Sequence, residues 1–411
     1  MQADQLLYLI VGIVVLDFSL DQILDFLNRK HSSAAIPEKL QGIYEPDEYA
    51  KSQAYQKKLG SFGLLSSAFS IITTLLILVF GGFGFLDAQL GPYVSDPILK
   101  SLAFFGILFI LSDIINIPFS YYATFVIEEK FGFNKMTVKL FVMDKLKGYL
   151  IAILLGGVLG YALLWIVNEL GANFWIYALA LVSAFMLVMN LFYTSLFLPL
   201  FNKLVPLEDG ELKSKINEYA EGVSFPLDNI FVIDGSKRST KANAFFSGLG
   251  KKKKIVLYDT LIENHTTEEV VAVLAHEVGH FKKKHIVLGL VLSVVQMAIT
   301  FYVLSLLIFN EELSMALGGG ELAIHLNFIA FGLLYTPISR LTGFLMNMLS
   351  RKNEYEADAY AATTYSAKPL VSALKRLSVK SLSNLTPHPW YVRAHYSHPT
   401  LLQRLEAMEK L

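Results

Sequence analysis

The chain has 411 residues, of which 54% are hydrophobic and only 17% are charged, whereas an ordinary globular protein has about 25% charged residues. This composition excludes a disordered chain and a purely water-soluble protein, and 35 basic residues against 35 acidic ones exclude nucleic-acid binding by a basic body. The chain has no cysteine, which excludes disulfides, thiolate zinc sites and cysteine nucleophiles. Any metal site must therefore use histidine and carboxylate ligands.

Seven apolar stretches are each long enough to cross about 30 Å of hydrocarbon at about 1.5 Å per residue. The first has no lysine or arginine before its apolar run and no small-residue cleavage site after it, so it is predicted to be a retained span rather than a signal peptide. The predicted spans lie near residues 6–28, 62–86, 101–123, 149–168, 174–200, 286–309 and 322–347.

The basic residues predict the orientation of the chain, because cytoplasmic loops carry the excess of lysine and arginine. Loops on one side of the predicted spans hold 33 of the 35 basic residues, and loops on the other side hold none. The basic segments are 29–61, 124–148, 201–285 and 350–411, and the segments without basic residues are 87–99, 169–173 and 310–321. This alternation predicts an outside N-terminus and a cytoplasmic C-terminus, and it fits a large soluble protein with seven buried helices poorly.

Four parts follow along the chain: residues 1–200 hold spans one to five, 201–285 form a polar segment, 286–349 hold spans six and seven, and 350–411 form a second polar segment. The two polar segments together have about 140 residues, enough for one compact domain. We therefore predict a mainly α fold, in which a seven-span helical membrane protein carries an α+β domain that faces the cytoplasm.

The first polar segment contains both strand and helix signals. Residues 230–233, 242–249 and 254–261 are rich in β-branched and aromatic residues between turn signals, so they are predicted to be strands. Thr266 and Glu269 form a capping-box signal, and the apolar residues that follow have helical spacing. A helix is therefore predicted to begin near Thr267.

That helix carries the motif HEVGH at residues 276–280. In the HExxH pattern, His276 and His280 lie one turn apart and face the same zinc ion, and Glu277 can reach a water molecule at the metal. The alternative is a surface helix with two solvated histidines, and the position of the motif on an amphipathic helix argues against it.

A catalytic zinc ion needs a third protein ligand. A metzincin would have a histidine where this chain has Ile286, one residue after His285, and an intramembrane protease would place the motif inside an apolar span. The remaining arrangement is a carboxylate on a second helix, and Glu354 and Asp358, four residues apart, share a face. Glu354 is the predicted third ligand, with His285 as the next candidate, and Asp358 is predicted to orient a liganding imidazole.

With these residues the sequence resembles the integral-membrane type 1 CaaX prenyl protease family, a zinc metalloprotease family of the gluzincin kind. The resemblance covers nearly the whole chain, and the stretch IEEKFGFN at 127–134 discriminates most because it is far from the zinc motif. Besides HEVGH, the stretches that carry the resemblance are 118–121, 125–135, 242–246, 254–261, 353–361 and 397–400, together with Arg404.

The resemblance implies seven helices around a large water-filled intramembrane chamber that the protease domain closes on the cytoplasmic side. It also implies roles for the site residues, one zinc ion per chain, a peptide or protein substrate and a surrounding lipid membrane. His276, His280 and Glu354 would bind zinc, Glu277 would be the general base, Asp358 would orient a ligand, Asn243 would hold the substrate backbone, and His398 and Arg404 would stabilise the oxyanion.

The implied reaction is removal of the last three residues of CaaX sequences after prenylation. A chain without cysteine suits the inner membrane of a bacterium, where membrane-associated or misfolded peptides would be cleaved instead, whereas a eukaryotic host would place it in the endoplasmic reticulum. The alternatives are an HtpX-like quality-control protease, which has fewer spans, and a transporter or lipid-handling channel with a structural zinc site.

Four polar residues, Asp17, Asp113, Asn190 and Arg340, lie within or near predicted spans. An ionisable side chain that faces lipid costs about 2.5–3.5 kcal/mol or more. These residues are therefore predicted to face a wet interior or to pair with one another, although Asp17 could also sit at the end of its span.

Overall fold

The computed structural model describes residues 1–32, 35–247 and 253–411. Up to residue 201, the described residues are mainly helical, as their composition predicts. The helices of this part are α1 (Ala3–His31), α2 (Pro46–Val79), α3 (Gly82–Leu90), α4 (Pro97–Tyr122), α5 (Glu129–Phe131), α6 (Val138–Ile151), α7 (Gly157–Leu170), α8 (Phe174–Phe192) and α9 (Leu198–Phe201).

The next part contains a small sheet and the predicted motif helix. Its elements are β1 (Leu204–Pro206), α10 (Glu211–Gly222), β2 (Leu227–Ile233), β3 (Ala244–Ser247), β4 (Lys253–Tyr258), α11 (Asp259–Asn264) and α12 (Thr267–Lys282). The helices after it are α13 (His285–Ser305), α14 (Glu311–Ala316), α15 (Ile324–Leu334), α16 (Thr336–Ala361), α17 (Ala367–Lys380), α18 (Pro389–His395) and α19 (Leu401–Met408).

Several helices have the length and composition of membrane spans. Within the described residues, five helical segments are long and apolar enough to cross a membrane, or up to six if α15 and the longer helix after it form one span. Those two helices meet at a bend of 52°. The prediction of a mainly helical membrane protein is therefore confirmed.

The second predicted span differs from the structure at its end. The prediction continued to residue 86, but α2 ends at Val79 and α3 begins after Gly81, whose φ of 63° lies in the left-handed region. Glycine is also required just after the break, since a Cβ built on Gly84 would lie 2.0 Å from the carbonyl oxygen of Gly318. The apolar pattern continues across the break, so hydrophobicity alone could not place it.

The sheet confirms the three predicted strand regions and adds β1. Its strand order is β1-β2-β4-β3, with β2 and β4 parallel and the other two pairings antiparallel. The third predicted strand continued to residue 261, but β4 ends at Tyr258 and a short helix follows. The end of the predicted strand 242–249 lies outside the described residues, and the strand observed there covers Ala244–Ser247.

Helices α12 and α16 cross at very short range. A Cβ on Gly279 would lie 3.0 Å from the Cα of Ala357 and 3.1 Å from the Cβ of Tyr360, so glycine allows the two helices to approach this closely. Helix α16 runs without interruption from the predicted seventh span into the second polar segment. It thereby carries residues of that segment to α12.

Three of the ionisable residues predicted to lie within or near spans form ion pairs in the structure. Arg340 donates hydrogen bonds to Asp17 at 2.6 Å and to both oxygens of Asp21 at 2.8 and 2.9 Å. Lys145 donates to Asp113 at 2.5 Å. Asp17 and Arg340 therefore pair with one another, as predicted, whereas Asp113 pairs with Lys145 of the basic segment 124–148; either pairing reduces the cost of a charge at membrane depth.

Candidate metal centre

The first part of the centre is helix α12, which begins where its sequence predicts. The Thr266 hydroxyl accepts a hydrogen bond from the backbone N–H of Glu269, and the Glu269 carboxylate accepts one from the backbone N–H of Thr266. This capping box satisfies two of the free N–H groups at the helix start. From this start, His276 and His280 fall one turn apart on the face that meets α16.

The two imidazoles and Glu354 converge on one point. The Nε2 atoms of His276 and His280 lie 3.1 Å apart, and they lie 3.4 and 3.2 Å from the two carboxylate oxygens of Glu354. The ligand atoms of all three residues lie within 4.8 Å of one another. Two nitrogens and a carboxylate are the donor set of a catalytic zinc site.

The chemistry of these side chains fits a bound cation. The buried Oε2 of Glu354 has no hydrogen-bond partner among the described residues. Burial opposes a charge on His276, yet hydrogen bonds with Asp358 and Glu354 raise its pKa to about 9. Burial likewise opposes ionisation of Glu354, but its close contacts with the two histidines hold its pKa well below the usual range. The pocket therefore stabilises positive charge between the three side chains.

Asp358 lies behind His276, on the side away from the cluster. Its Oδ1 lies 2.8 Å from Nδ1 of His276, and its two oxygens accept hydrogen bonds of 2.5 and 2.8 Å from Arg404. A carboxylate can only accept here, so Nδ1 of His276 donates to Asp358, and Nε2 is the ring nitrogen at which a metal ion would take the place of a proton. The geometry thus suits the orienting role predicted for Asp358.

Glu277 is partly buried beside the cluster. Burial raises the pKa of its carboxyl group, and the negative charge of Glu354 adds to this, whereas the charges of the two histidines oppose it. A raised pKa brings a carboxylate closer to the range in which it exchanges protons during catalysis. This environment suits a general base.

His398 reaches the cluster from the C-terminal segment. Its Nε2 lies 3.3 Å from Oε1 of Glu354, its Nδ1 lies 2.9 Å from the hydroxyl of Ser397, and 63% of its side chain is exposed. It lines a cavity of about 690 Å³ together with Lys241 and Arg404. A substrate in this cavity would therefore contact His398 directly.

Arg404 is placed differently from His398. Two of its nitrogens are bound to Asp358, and Nη1 lies 3.7 Å from Oε2 of Glu354, with 11% of the side chain exposed. Its positive charge reaches the centre, but its hydrogen bonds are used to hold Asp358. The resemblance alone did not indicate this pairing.

Asn243 stands at the start of the edge strand β3. Its carbonyl oxygen accepts a hydrogen bond of 3.1 Å from the backbone N–H of Tyr258, and its side chain is exposed. Strand β3 pairs only with β4 within the described sheet, and it packs on α12. An extended peptide could therefore add to this edge beside the motif helix.

The sequence did not predict the contacts that His285 and Glu356 make beside the centre. The Nδ1 atom of His285 lies 3.0 Å from Nδ1 of His280, and its Nε2 lies 3.2 Å from the carboxylate of Glu356. The sequence marked His285 only as an alternative ligand. Glu356 stands between Glu354 and Asp358 in a run of alternating acidic residues, which was the only sign that it belongs to the centre. Spacing along the sequence does not show that Glu356 contacts His285.

An HExxH helix, a carboxylate from a second helix and several apolar helices define the class: a membrane-embedded metallopeptidase. Comparisons with known proteins agree. Residues 25–203 match the family model for the CAAX prenyl protease N-terminal region with five membrane helices, and residues 206–411 match peptidase family M48.

Individual relatives span nearly the whole chain. CAAX prenyl protease 1 of Saccharomyces cerevisiae is 35% identical over 98% of this chain and 94% of its own, and a homologue of that protease in rice is 38% identical over 91% of this chain and 90% of its own. The crystal structure of S. mikatae Ste24p superposes with a TM-score of 0.94 at 34% identity, covering 98% of this chain and 99% of that one.

The chain belongs to peptidase family M48, in the branch that carries the CAAX prenyl protease N-terminal region. It is a membrane metalloprotease, and the resemblance seen in the sequence is confirmed.

Proposed function

We propose that the protein is a zinc endopeptidase that removes the last three residues of prenylated CaaX proteins or peptides. The observation that carries the hydrolytic part is the convergence of His276, His280 and Glu354, in which one buried carboxylate oxygen has no hydrogen-bond partner in the described part of the chain. Zinc is the metal that this donor set takes in catalytic sites, with a fourth position left for a ligand. A structural site would be closed by a fourth protein ligand.

The chain's own residues supply the remaining chemistry. His276, His280 and Glu354 would hold a zinc ion, which would supply Lewis acidity toward the scissile carbonyl and lower the pKa of a water molecule. Glu277 takes a proton from the attacking water and passes it to the nitrogen of the breaking C–N bond, so that the products are a carboxylate and an amine.

His398 and Arg404 stabilise the charge that develops on the carbonyl oxygen. His398 does so by donating from its exposed ring, while Arg404 contributes its charge and holds Asp358 in place. Asn243 holds the substrate backbone in an extended form at the edge of β3.

The names of the relatives support the substrate class. Proteins named CAAX prenyl protease 1 match over nearly their full length, including the membrane part as well as the catalytic part. A substrate that carries a lipid explains why the peptidase is combined with membrane helices. An HtpX-like role would not need the long N-terminal region that matches the CAAX family model.

A cleavage assay tests this substrate class. The purified protein should release the C-terminal tripeptide from a prenylated CaaX peptide much faster than from the same peptide without the lipid, and a chelator should abolish both activities. Equal cleavage of the two peptides would contradict the prenylated substrate but not the peptidase. Cleavage that persists in the chelator would contradict the metal mechanism.

We also propose seven spans, which requires one long helical segment to cross the membrane twice. The segment Val138–Phe201 has 64 residues, about 96 Å of helix, which is three times the hydrocarbon thickness. The chain reverses at Gly171, whose φ is 53°, and α7 packs on α8. Counting these two helices separately, and the bent pair of α15 and α16 once, gives seven.

The spans are proposed to surround a chamber. In the most apolar stretches of α2 and α13, only 6% and 0% of the residues are buried, whereas helices in a close-packed bundle bury the stripe that faces their neighbours. A cavity of about 810 Å³ between α1 and α16 is lined by Asp17, Asp21 and Arg340. A wet interior of this kind accommodates those charges.

The two polar segments are proposed to form one cytoplasmic protease domain, with the N-terminus outside. Contacts between α12 and α16 join the segments, and the basic loops lie on their side of the spans. A reporter fused to each terminus should be active outside only at the N-terminus, and the reverse pattern would overturn the orientation. The host membrane, bacterial or endoplasmic reticulum, stays a prediction.

A further inference from the structure

We propose that His285 and Glu356 position the metal ligand His280 by fixing which of its ring nitrogens carries the proton. This inference rests on the proposed function, since it takes His280 to be a zinc ligand. The three side chains form a continuous chain of contacts that ends at the metal centre. We call them the relay: Glu356, His285 and His280, in that order.

The backbone brings the relay together through a tight turn. Helix α12 ends at Lys282 and α13 begins at His285, and between them Lys284 adopts a left-handed conformation with φ of 60°. That conformation is uncommon for a residue with a side chain. This turn places His285, the first residue of α13, against His280 on α12, five positions earlier in the chain.

The contacts of the relay are short and largely shielded from solvent. Nδ1 of His285 lies 3.0 Å from Nδ1 of His280, and its Nε2 lies 3.2 Å from Oε2 of Glu356. Only 7% of the His285 side chain is exposed, against 39% for Glu356. The carboxylate thus lies at the outer end of the relay and the metal centre at its inner end.

The position of each proton in the relay can be assigned in order, starting from Glu356 at the outer end. The ionised Glu356 can only accept, so Nε2 of His285 donates to it. A neutral imidazole with a proton on Nε2 has a lone pair on Nδ1, so Nδ1 of His285 accepts from Nδ1 of His280. His280 then has no proton on Nε2, the atom that lies 3.2 Å from Glu354.

The same rule operates on the other histidine without an intermediate. Asp358 accepts directly from Nδ1 of His276 at 2.8 Å and leaves its Nε2 free for the cluster. A carboxylate therefore keeps the proton off the Nε2 atom of each ligand histidine. Asp358 does so by direct contact with His276, and Glu356 does so through His285 for His280. His285 itself directs neither nitrogen at the cluster, which makes it a positioning residue rather than the third ligand.

The test is the zinc dissociation constant of the purified full-length protein, measured by competition with a chromogenic chelator at one fixed pH. Replacing such orienting partners costs about 10–100-fold in metal affinity. We expect His285→Phe and Glu356→Leu each to weaken zinc binding by about that factor. We expect His285→Gln and Glu356→Gln, which keep an acceptor oxygen, to recover most of the loss.

Lys352→Ala is the matched control. Lys352 lies on the same helix and contacts the other oxygen of Glu356 at 3.7 Å, with 71% of its side chain exposed, so it is outside the relay. The zinc affinity of Lys352→Ala should stay within about twofold of wild type, because an exposed ion pair contributes little free energy to the structure around it.

The thermal unfolding temperature of the zinc-free protein separates positioning from a structural role. Positioning predicts that His285→Phe and Glu356→Leu weaken zinc binding while the zinc-free proteins unfold at the wild-type temperature. Loss of zinc affinity that is matched by lost stability of the zinc-free protein would overturn the proposal. If His285→Phe does not fold, the result for Glu356→Leu decides the question, because the Glu356 side chain is partly exposed and its replacement leaves the core intact.

Different results would contradict the metal centre and the relay. If the wild-type protein binds no zinc, or His280→Ala binds it as tightly as wild type, the proposed metal centre is wrong. If the wild type binds zinc and His280→Ala does not, but His285→Phe and Glu356→Leu bind as tightly as wild type, only the relay is wrong.

Discussion

Replacing Glu277 by glutamine is expected to lower the rate of peptide cleavage by about 10²–10⁴-fold, the usual contribution of a general base. The amide has the shape of the carboxylate but cannot take a proton from water. Zinc content should remain at the wild-type level, because Glu277 is not among the side chains that converge at the centre. Cleavage of a prenylated peptide and zinc analysis of the same preparation measure the two effects.

Glu263→Gln provides the matched control for this variant. Glu263 is an exposed glutamate on α11, the helix that precedes α12, and the same substitution there should change neither cleavage nor zinc content. Unchanged cleavage by Glu277→Gln would remove the role assigned to Glu277 and make His398, whose Nε2 lies 3.3 Å from Glu354, the next candidate for proton exchange. Loss of zinc by Glu277→Gln would show instead that this carboxylate helps to hold the metal.

The parts of the centre that the sequence predicts are those set by short-range regularities. His276 and His280 are one turn apart on a helix whose capping box and apolar spacing are local signals, so their common face follows from the sequence. Glu354 and Asp358 share a helix face for the same reason. To predict that α12 and α16 meet, one further inference was needed: that both polar segments lie on the same side of the membrane.

The rest depends on contacts between distant parts of the chain. Arg404, for which the resemblance implies an oxyanion role, also binds Asp358, 46 residues away, and that pairing has no local signal in the sequence. The contact of His285 with Glu356 spans 71 residues and depends on the left-handed turn at Lys284. The presence of long apolar helices was predictable from hydrophobicity, whereas the break after α2 lies at Gly81, beside the distant residue Gly318.

Replacing Glu354 by alanine is expected to remove most of the bound zinc, with an affinity loss of more than the ~100-fold that orienting partners cost, because a ligand itself is lost. Cleavage should fall in parallel, and elemental analysis of the purified protein measures the metal. Glu406→Ala is the control, since Glu406 is a partly exposed carboxylate whose partner is Lys39 at 3.1 Å.

Full zinc occupancy in Glu354→Ala would mean that another residue completes the site, and His285 was the next candidate in the sequence. Both ring nitrogens of His285 already face His280 and Glu356, so it could bind zinc only by breaking those contacts. Adding His285→Phe to Glu354→Ala separates the cases. If the double variant loses the metal that the single variant keeps, His285 has become the ligand, and if it keeps the metal, the third ligand lies elsewhere.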